Sequence, residues 1–239
     1  PETALAKPWN NLNSNFRSTL LKKLKKFNVI LITGIPINSS SGWKNSVIAI
    51  NASNSSEENI IYDQYDKHHL VPFGEFIPHG FKWFVSLINI PFGEFKKGQL
   101  PQNPISVNDQ FVGVNICFED LFADEIIKSF SFSRALDQVP SILLNVSNLG
   151  WFGKTNALDY QLKASRMRSI ETGRPMIRST NTGFTAHIDD KGEIKKILPP
   201  MESLFLIANV QGMEGKTPFS FVGNKLILIF CLLIFIMRL

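Results

Sequence analysis

The chain has 239 residues, and 44% of them are hydrophobic, which is enough to bury a sizeable core in one large domain or two small ones. The net charge of +5 is modest and comes largely from short lysine runs, so it argues against an extended nucleic-acid-binding face and suits an anionic lipid surface equally well. The two cysteines, Cys117 and Cys231, lie far apart in unlike surroundings, which excludes a disulfide framework.

The beginning of the chain predicts a strand end, a helix and three strands. Residues 1–4 resemble the end of a strand whose body is missing. Residues 11–27 place apolar side chains at helical spacing with lysines mostly off that stripe, which predicts a surface helix with a solvated basic face; contact with lipid headgroups is the alternative. Strands are predicted at residues 29–35, 46–50 and 60–65, with a hairpin loop at residues 39–42.

Residues 76–98 are rich in aromatic and aliphatic side chains, which is unusual for a loop. They predict an arm that lies over an apolar site or against a membrane. The alternative is a helix at residues 82–88 packed on the core.

The stretch around Cys117 is the most informative. An apolar, β-branched run ends at Cys117, and acidic residues then open an amphipathic helix predicted at residues 120–129. A cysteine between a strand end and a helix N-terminus feels the positive end of the helix dipole, which favours the nucleophilic thiolate. The alternative is a core cysteine that caps a strand.

The second half of the chain continues the alternation of strands and helices. A buried strand is predicted at residues 141–146 and a helix at residues 157–172. Strands follow at residues 175–179, 184–189 and 204–210, the first two paired around residues 181–183. Alternating strands and helices, together with hairpins, indicate the α/β class and a layered sandwich.

The C-terminal segment is strongly apolar. The uninterrupted run from Leu226 to Met237, at ~1.5 Å per helical residue, reaches only ~18 Å of the ~30 Å hydrocarbon core. Extended back to Phe219, the segment has about 21 residues and would span a bilayer if the Lys225 ammonium reached the headgroups. We therefore predict a transmembrane helix at residues 218–239; a core helix or an interfacial segment is the alternative.

Several kinds of site are not indicated. The four histidines lack metal-ligand spacing, so no metal site is predicted. No glycine-rich phosphate loop and no Gly-x-Ser-x-Gly elbow is present. Glu2, Lys67 and Cys117 remain, and they form a coherent set. A carboxylate can take a thiol proton, and an ammonium can stabilise both the thiolate and the oxyanion of a tetrahedral intermediate.

These three residues occur in the order and approximate spacing of the nitrilase superfamily triad. Over residues 1–217 the chain resembles the apolipoprotein N-acyltransferases of Gram-negative bacteria, and the string from Lys67 to Glu75 is the most discriminating. The strings that carry the resemblance are Pro1-Glu-Thr-Ala4, Tyr65-Asp-Lys-His-His-Leu-Val-Pro-Phe-Gly-Glu75, Ile116-Cys-Phe-Glu-Asp120, Trp151-Phe-Gly153, Arg166-Met-Arg-Ser-Ile-Glu-Thr-Gly-Arg-Pro175 and Arg178-Ser-Thr-Asn-Thr-Gly183.

The resemblance implies a nitrilase-like α-β-β-α sandwich at residues 1–217, lacking its first strand and facing the periplasm, and a last membrane helix at residues 218–239 in the bacterial inner membrane. It implies a monomer that uses no cofactor. An acyl chain from a phospholipid would form a thioester on Cys117, and the α-amine of a diacylglyceryl-cysteine in an apolipoprotein would then take it.

The resemblance also assigns roles to residues. Glu2 would be the general base and Lys67 the oxyanion and thiolate stabiliser. Glu75 would be a second, orienting carboxylate. The remaining residues, which would shape the substrate pocket, are Phe118, Glu119 and Trp151.

The chain departs from the family pattern at two positions. Leu149 stands where members commonly carry Asp, and Leu162 where they commonly carry His, which puts hydrogen bonding near Trp151 in doubt. A missing first strand would expose a sheet edge and core, so we expect these residues alone to be unstable or inactive. Two other functions remain open: a carbon–nitrogen hydrolase with the same triad, and a non-catalytic membrane-anchored domain.

Overall fold

The computed structural model describes residues 1–52, 60–81, 83, 94–131 and 138–238. Two sheets form its centre. In the first, three antiparallel strands lie in the order β1-β2-β3. In the second, six strands follow chain order from β4 to β9. The strands are β1 (Ile30–Ser39), β2 (Gly42–Asn51), β3 (Ile61–Asp66), β4 (Ile105–Val107), β5 (Gln110–Ile116), β6 (Ile142–Ser147), β7 (Met176–Thr180), β8 (Thr185–Ile188) and β9 (Ile194–Leu198).

The middle of the second sheet is parallel, and this places three strand ends at one edge. Strands β5, β6 and β7 run parallel to one another, whereas the β4–β5, β7–β8 and β8–β9 pairs are antiparallel. Because the carboxyl ends of parallel strands meet at the same edge of a sheet, the residues that follow β5 and β6 lie close together there.

In the part of the chain that the structure describes, six α-helices lie outside the sheets. The helix at Ser14–Phe27 packs on the first sheet, and the helix at Ala157–Thr172 packs on the second. The helices are α1 (Ser14–Phe27), α2 (Ala123–Ile126), α3 (Lys128–Ser131), α4 (Ala157–Thr172), α5 (Pro218–Val222) and α6 (Lys225–Met237). Three 3₁₀ helices are found at Trp9–Asn11, Cys117–Leu121 and Gly150–Phe152.

Alternation along the strands divides the core into three layers. On β2, Val47 and Ala49 face the second sheet, whereas Ile48 and Ile50 pack against Leu24 of α1. On β6, Leu143 faces the helical layer, where it meets Leu162 and its neighbours. The central strands of each sheet are therefore buried on both faces, and the predicted α-β-β-α sandwich is confirmed.

Several predicted elements are confirmed with small changes at their ends. The hairpin at residues 39–42 joins β1 to β2, whose register pairs Ser39 with Gly42. The helix predicted at residues 157–172 is α4 with the same bounds. Helix α1 begins at Ser14, because the Asn13 side chain caps it by accepting a hydrogen bond from the Asn15 backbone N–H at 2.9 Å.

Two predictions were wrong. The single helix at residues 120–129 is a 3₁₀ turn followed by the short α2 and α3, because Phe122 lies outside the helical region at φ −107° and ψ 75°. Residues 204–210 form no strand. They alternate in exposure from residue 205 as a strand would, but no ladder pairs them. Sequence reasoning also missed β9, whose two adjacent lysines interrupt the apolar alternation.

The apolar C-terminal segment forms two helices, because Gly223 adopts φ 54° between them. The side chains of α6 are exposed over its whole length. No helix in the described part of the chain is both long enough and apolar enough to cross a membrane. The transmembrane helix predicted at residues 218–239 is therefore not confirmed. Residues 82 and 84–93 of the arm predicted at residues 76–98 lie outside the described residues, and so does all but residue 83 of the alternative helix at residues 82–88.

The first residues of the chain lie along the edge of β1 that faces away from β2. Gly34 donates a backbone hydrogen bond to the Pro1 carbonyl at 3.2 Å and accepts one from the Leu5 N–H at 3.0 Å. A Cβ atom at Gly34 would come within 2.5 Å of the Pro1 oxygen and of the Thr3 nitrogen. Glycine at this position therefore allows the backbone around Glu2 to approach β1.

We expect Gly34→Ala to displace residues 1–3, which include Glu2. The change should destabilise the protein by about 1–3 kcal/mol through overpacking and should lower its activity. The measurement is the denaturant midpoint together with activity. Gly150→Ala is the control, because its Cβ would meet one atom, Asn148 Oδ1, at 3.3 Å. Unchanged stability and activity in Gly34→Ala would contradict this account of the glycine.

Candidate active site

The structure brings together the three residues that the sequence singled out. Cys117 follows β5, Lys67 follows β3, and Glu2 is held against β1. The Lys67 Nζ lies 3.2 Å from Glu2 Oε1, and the Cys117 thiol interacts with both charges. The exposed fractions of Glu2, Lys67 and Cys117 are 8%, 1% and 7%. The site is therefore a buried cluster between the sheets.

A second carboxylate and an amide complete this cluster. Lys67 Nζ lies 2.9 Å from Glu75 Oε1, and the Asn45 Nδ2 donates to Glu2 Oε1 and Glu75 Oε1, both at 2.7 Å. Each carboxylate is also anchored by a backbone N–H, that of Asn148 for Glu2 and that of Val71 for Glu75, both at 2.8 Å. One ammonium and one amide thus hold two carboxylates side by side.

Sequence reasoning missed Asn45. It stands one residue before the strand predicted at residues 46–50, within what is β2. Its burial, at 6% exposure, is visible only in the structure, because Lys44 and Ser46 beside it are also polar and no pattern in the sequence marks it.

The protonation state of Cys117 differs from the expectation. Burial raises the pKa of the thiol to about 12, and the charge of Glu2 and a hydrogen bond with it add to the rise, whereas Lys67 and a hydrogen bond at the Asn148 backbone oppose it. The prediction that the following helix favours the thiolate was therefore wrong. That helix is a five-residue 3₁₀ turn, and burial beside a carboxylate outweighs its dipole.

Lys67 keeps its charge in spite of its burial. Desolvation acts to lower the pKa of its ammonium, but the carboxylates of Glu2 and Glu75 together raise that pKa above its ordinary value. The resting site thus holds an ammonium, two carboxylates and a neutral thiol. The thiol proton is positioned to pass to Glu2.

Cys117 occupies a strained backbone conformation, with φ at 59° in the left-handed region. Its carbonyl accepts a hydrogen bond from Asn145 Nδ2 at 2.9 Å, which fixes the turn against β6. Behind the turn, Asp120 and Arg178 form a fully buried ion pair at 3.0 Å, and Ser165 hydrogen-bonds to both. Cys117 is thus presented on a rigid elbow.

Glu119 ties this elbow to the Lys67 loop. One carboxylate oxygen accepts from the backbone N–H groups of His68 and His69 at 2.7 and 2.9 Å. The other accepts from the Ile116 N–H at 2.6 Å and the Tyr65 hydroxyl at 3.0 Å. Burial raises the pKa of Glu119 to about 7, even though the backbone hydrogen bonds and Lys67 oppose the rise.

Comparison with known proteins places the chain. Residues 2–218 match the family model for carbon-nitrogen hydrolases. The chain belongs to the carbon–nitrogen hydrolase family. Its fold is similar to that of a carbon-nitrogen hydrolase from Helicobacter pylori, with a TM-score of 0.57 and 16% identity over 79% of this chain and 64% of that one.

Curated relatives confirm the finer resemblance drawn from the sequence motifs. An apolipoprotein N-acyltransferase of Ralstonia nicotianae is 52% identical over 161 residues, which cover 67% of this chain and 30% of that protein. One of Bordetella bronchiseptica is 38% identical over 234 residues, which cover 94% of this chain and 43% of that protein. The chain therefore spans less than half of the length of these relatives.

Of the two remaining residues predicted to shape the pocket, Phe118 lies beside the buried cluster and Trp151 does not. Phe118 is half-buried, and the centre of its ring lies 5.8 Å from Lys67 Nζ. Trp151 is 86% exposed on the 3₁₀ turn Gly150–Phe152, so it does not pack into the buried cluster. Asn148, two residues before that turn, nevertheless contacts the site, because its backbone N–H donates to Glu2 Oε2.

The two departures from the family pattern both place leucine in a core. Leu149 is buried between the sheets beside Gly183, and Leu162 is buried on α4. The backbone before Trp151 is still hydrogen-bonded in spite of these leucines, because the Leu149 N–H donates to Asn181 Oδ1 at 3.3 Å.

A small open cleft is lined in part by Glu119. Glu2, Lys67 and Cys117 do not line it, so the charge cluster and the elbow, rather than this cleft, locate the site. The polar residues of its wall include Tyr65, Gln102, Asn115, Glu119, Glu125 and Ser129.

We expect Glu119 to make the stability of this hydrolase-family domain depend on pH. Its pKa is raised from 4.5 to about 7 in the folded state, so the folded protein binds the proton more tightly, and the stability contributed by Glu119 falls as the pH rises from about 4.5 to about 7. The measurement is the difference in melting temperature between the parent protein and Glu119→Gln at pH 5 and at pH 8.

Relative to the parent, Glu119→Gln should be more favourable at pH 8 than at pH 5, because glutamine carries no charge that must be desolvated. Glu125→Gln, which changes a partly exposed carboxylate nearby, is the control. The same difference at both pH values would contradict the raised pKa.

Proposed function

We propose that the chain is the catalytic part of an apolipoprotein N-acyltransferase, which moves an acyl chain from a phospholipid to the N-terminal α-amine of diacylglyceryl-cysteine in apolipoproteins. The observation that carries the proposal is the meeting of Glu2, Lys67 and Cys117 in one buried cluster on a strained elbow. The names of the relatives, at up to 52% identity, supply the substrate class.

In the first step, Glu2 takes the thiol proton as Cys117 Sγ attacks the carbonyl carbon of a phospholipid ester. The Lys67 ammonium stabilises the oxyanion that forms. The bond between that carbon and the glycerol oxygen breaks, and Glu2 returns the proton to that oxygen. A lysophospholipid leaves, and the acyl chain stays on Cys117 as a thioester.

In the second step, the α-amine of the apolipoprotein attacks the thioester carbon, and Glu2 takes a proton from the nitrogen. The carbon–sulfur bond breaks, an amide forms, and the proton passes to Sγ. The free thiol is regenerated. Both steps are acyl transfers between nucleophiles, so no cofactor is needed.

Glu75 and Glu119 support this chemistry without touching the reacting atoms. Glu75 orients the Lys67 ammonium and shares Asn45 with Glu2. Glu119 joins the elbow to the Lys67 loop. Phe118 and Trp151 line the approach of the two lipidic substrates, Phe118 beside the ammonium and Trp151 at the exposed rim.

The bilayer is the source of both substrates, and helix α6 supports this part of the proposal. All of its large apolar side chains are exposed, which is the pattern of a segment that meets lipid or another apolar surface. We place residues 218–239 in the bacterial inner membrane and residues 1–217 on its periplasmic face, and we take the protein to act as a monomer.

Intact-mass spectrometry of the full-length protein in detergent tests the proposal. After incubation with phosphatidylethanolamine, we expect one acyl adduct that neutral hydroxylamine removes and that is absent from Cys117→Ala. A diacylated lipopeptide with a free α-amine should discharge the adduct and gain its mass. Cys231→Ala, which changes the exposed second cysteine, is the control and should keep the adduct.

Other results would replace the proposal. Turnover of small amides without any phospholipid adduct would assign a hydrolase with the same triad. No adduct and no turnover would assign a non-catalytic membrane-anchored domain.

A further inference from the structure

His69 lies at the centre of a cluster next to the elbow. Its Nδ1 donates to the Glu125 carboxylate at 3.0 Å. Its ring stacks on Phe122, with centres 3.5 Å apart and planes at 13°, and meets the Phe118 ring edge-on at 5.2 Å. One hydrogen-bonded carboxylate and two aromatic contacts therefore fix the orientation of this imidazole.

The cluster leads directly to the ammonium of the active site. The centre of the Phe118 ring lies 5.8 Å from Lys67 Nζ, within the range at which a cation is attracted to an aromatic ring. Phe118 is also the residue after the nucleophile. A chain of contacts thus runs from Glu125 through His69 and Phe118 to Lys67.

Glu125 also approaches the other histidine of the Lys67 loop. His68 Nε2 lies 3.8 Å from Glu125 Oε1, and its Nδ1 lies 2.7 Å from the Gly98 carbonyl. Gly98 in turn donates its N–H to the Lys67 carbonyl at 2.8 Å. Glu125 of α2 therefore contacts the side chains of His68 and His69, and Glu119 accepts hydrogen bonds from the backbone N–H groups of the same two residues.

These groups lie at the edge of the core rather than in it. The side chains of Glu125 and His69 are 22% and 29% exposed. Their replacement leaves the three layers of the sandwich filled, so an effect on the site can be separated from a loss of the fold.

We propose that Glu125 and His69 are positioning residues, which hold the Phe118 ring against the Lys67 ammonium and thereby set the position of that ammonium relative to Cys117. Neither residue touches a reacting atom. The proposal rests on the proposed function in one respect, because it takes Cys117 as the nucleophile that Lys67 serves.

Alkylation of Cys117 by iodoacetamide, followed by peptide mass spectrometry, reports on this position without acyl transfer. The Lys67 charge lowers the pKa of the thiol, so a displaced ammonium slows the reaction at a fixed pH. We expect Glu125→Ala and His69→Ala each to slow alkylation about fivefold, within the range that a displacement of about 1 Å produces. The double variant should be no slower than either single variant.

Two further variants separate positioning from a general effect. Glu125→Gln keeps an oxygen that accepts from His69, and it should restore most of the rate. Asp124→Asn removes the neighbouring charge on α2 but keeps an oxygen for Asn224, which lies 3.1 Å away, and should alkylate at the parent rate.

Combining Glu125→Ala with Lys67→Met tests whether Glu125 acts through the Lys67 ammonium. If it does, Glu125→Ala should change the alkylation rate by less than twofold in the Lys67→Met background. An equal slowing with and without Lys67, additive losses in the double variant, or an unchanged rate in Glu125→Ala would each overturn the proposal. Absence of an acyl adduct, with these alkylation results as expected, would instead contradict the proposed function alone.

Discussion

The structure depends on the burial of three charges around one thiol. Glu2, Glu75 and Lys67 are each at most 8% exposed. The single Lys67 ammonium forms ion pairs with both carboxylates. Ions removed from water are tolerated when they are paired and their remaining hydrogen-bonding capacity is used, and loss of one partner costs about 3–5 kcal/mol. Asn45 and the backbone N–H groups of Asn148 and Val71 use that capacity here.

This constraint explains how the fold is arranged around the site. The groups of the cluster come from the segment along β1, from β2, from the residue after β3 and from the turns after β5 and β6. Gly34 allows the first of these to approach, and the ion pair of Asp120 with Arg178 supports the elbow from behind. The sandwich therefore works as a frame that holds separate segments within hydrogen-bonding distance.

The same burial keeps the Cys117 thiol neutral at rest. A thiol beside a buried carboxylate holds its proton, so its activation has to accompany attack on a substrate instead of preceding it. A neutral thiol is a poor nucleophile towards water-borne electrophiles, which fits the proposed function, in which the acyl donor lies in a membrane. In the proposed mechanism, Lys67 acts chiefly on the oxyanion, the charge that appears only during the reaction.

The sequence predicted the parts of the molecule that local pattern determines. Glu2, Lys67 and Cys117 were recognisable from their chemistry and order, and α4 and the β1–β2 hairpin from periodicity and turn residues. Asn45 could not be found this way, because its role depends on two carboxylates distant in sequence. The prediction that the thiolate is favoured was wrong, because burial, which a sequence pattern does not measure, outweighs the dipole of a five-residue turn. Residues 204–210 show that alternation without a partner strand does not make a sheet.

The pH dependence of Cys117 alkylation in the purified protein tests the central claim most directly. A neutral thiol held by burial and Glu2, with its pKa at about 12, predicts a rate that keeps rising about tenfold per pH unit up to at least pH 10, and a faster rate in Glu2→Gln. A rate that reaches a plateau near pH 7, unchanged in Glu2→Gln, would show a preformed thiolate and contradict the account.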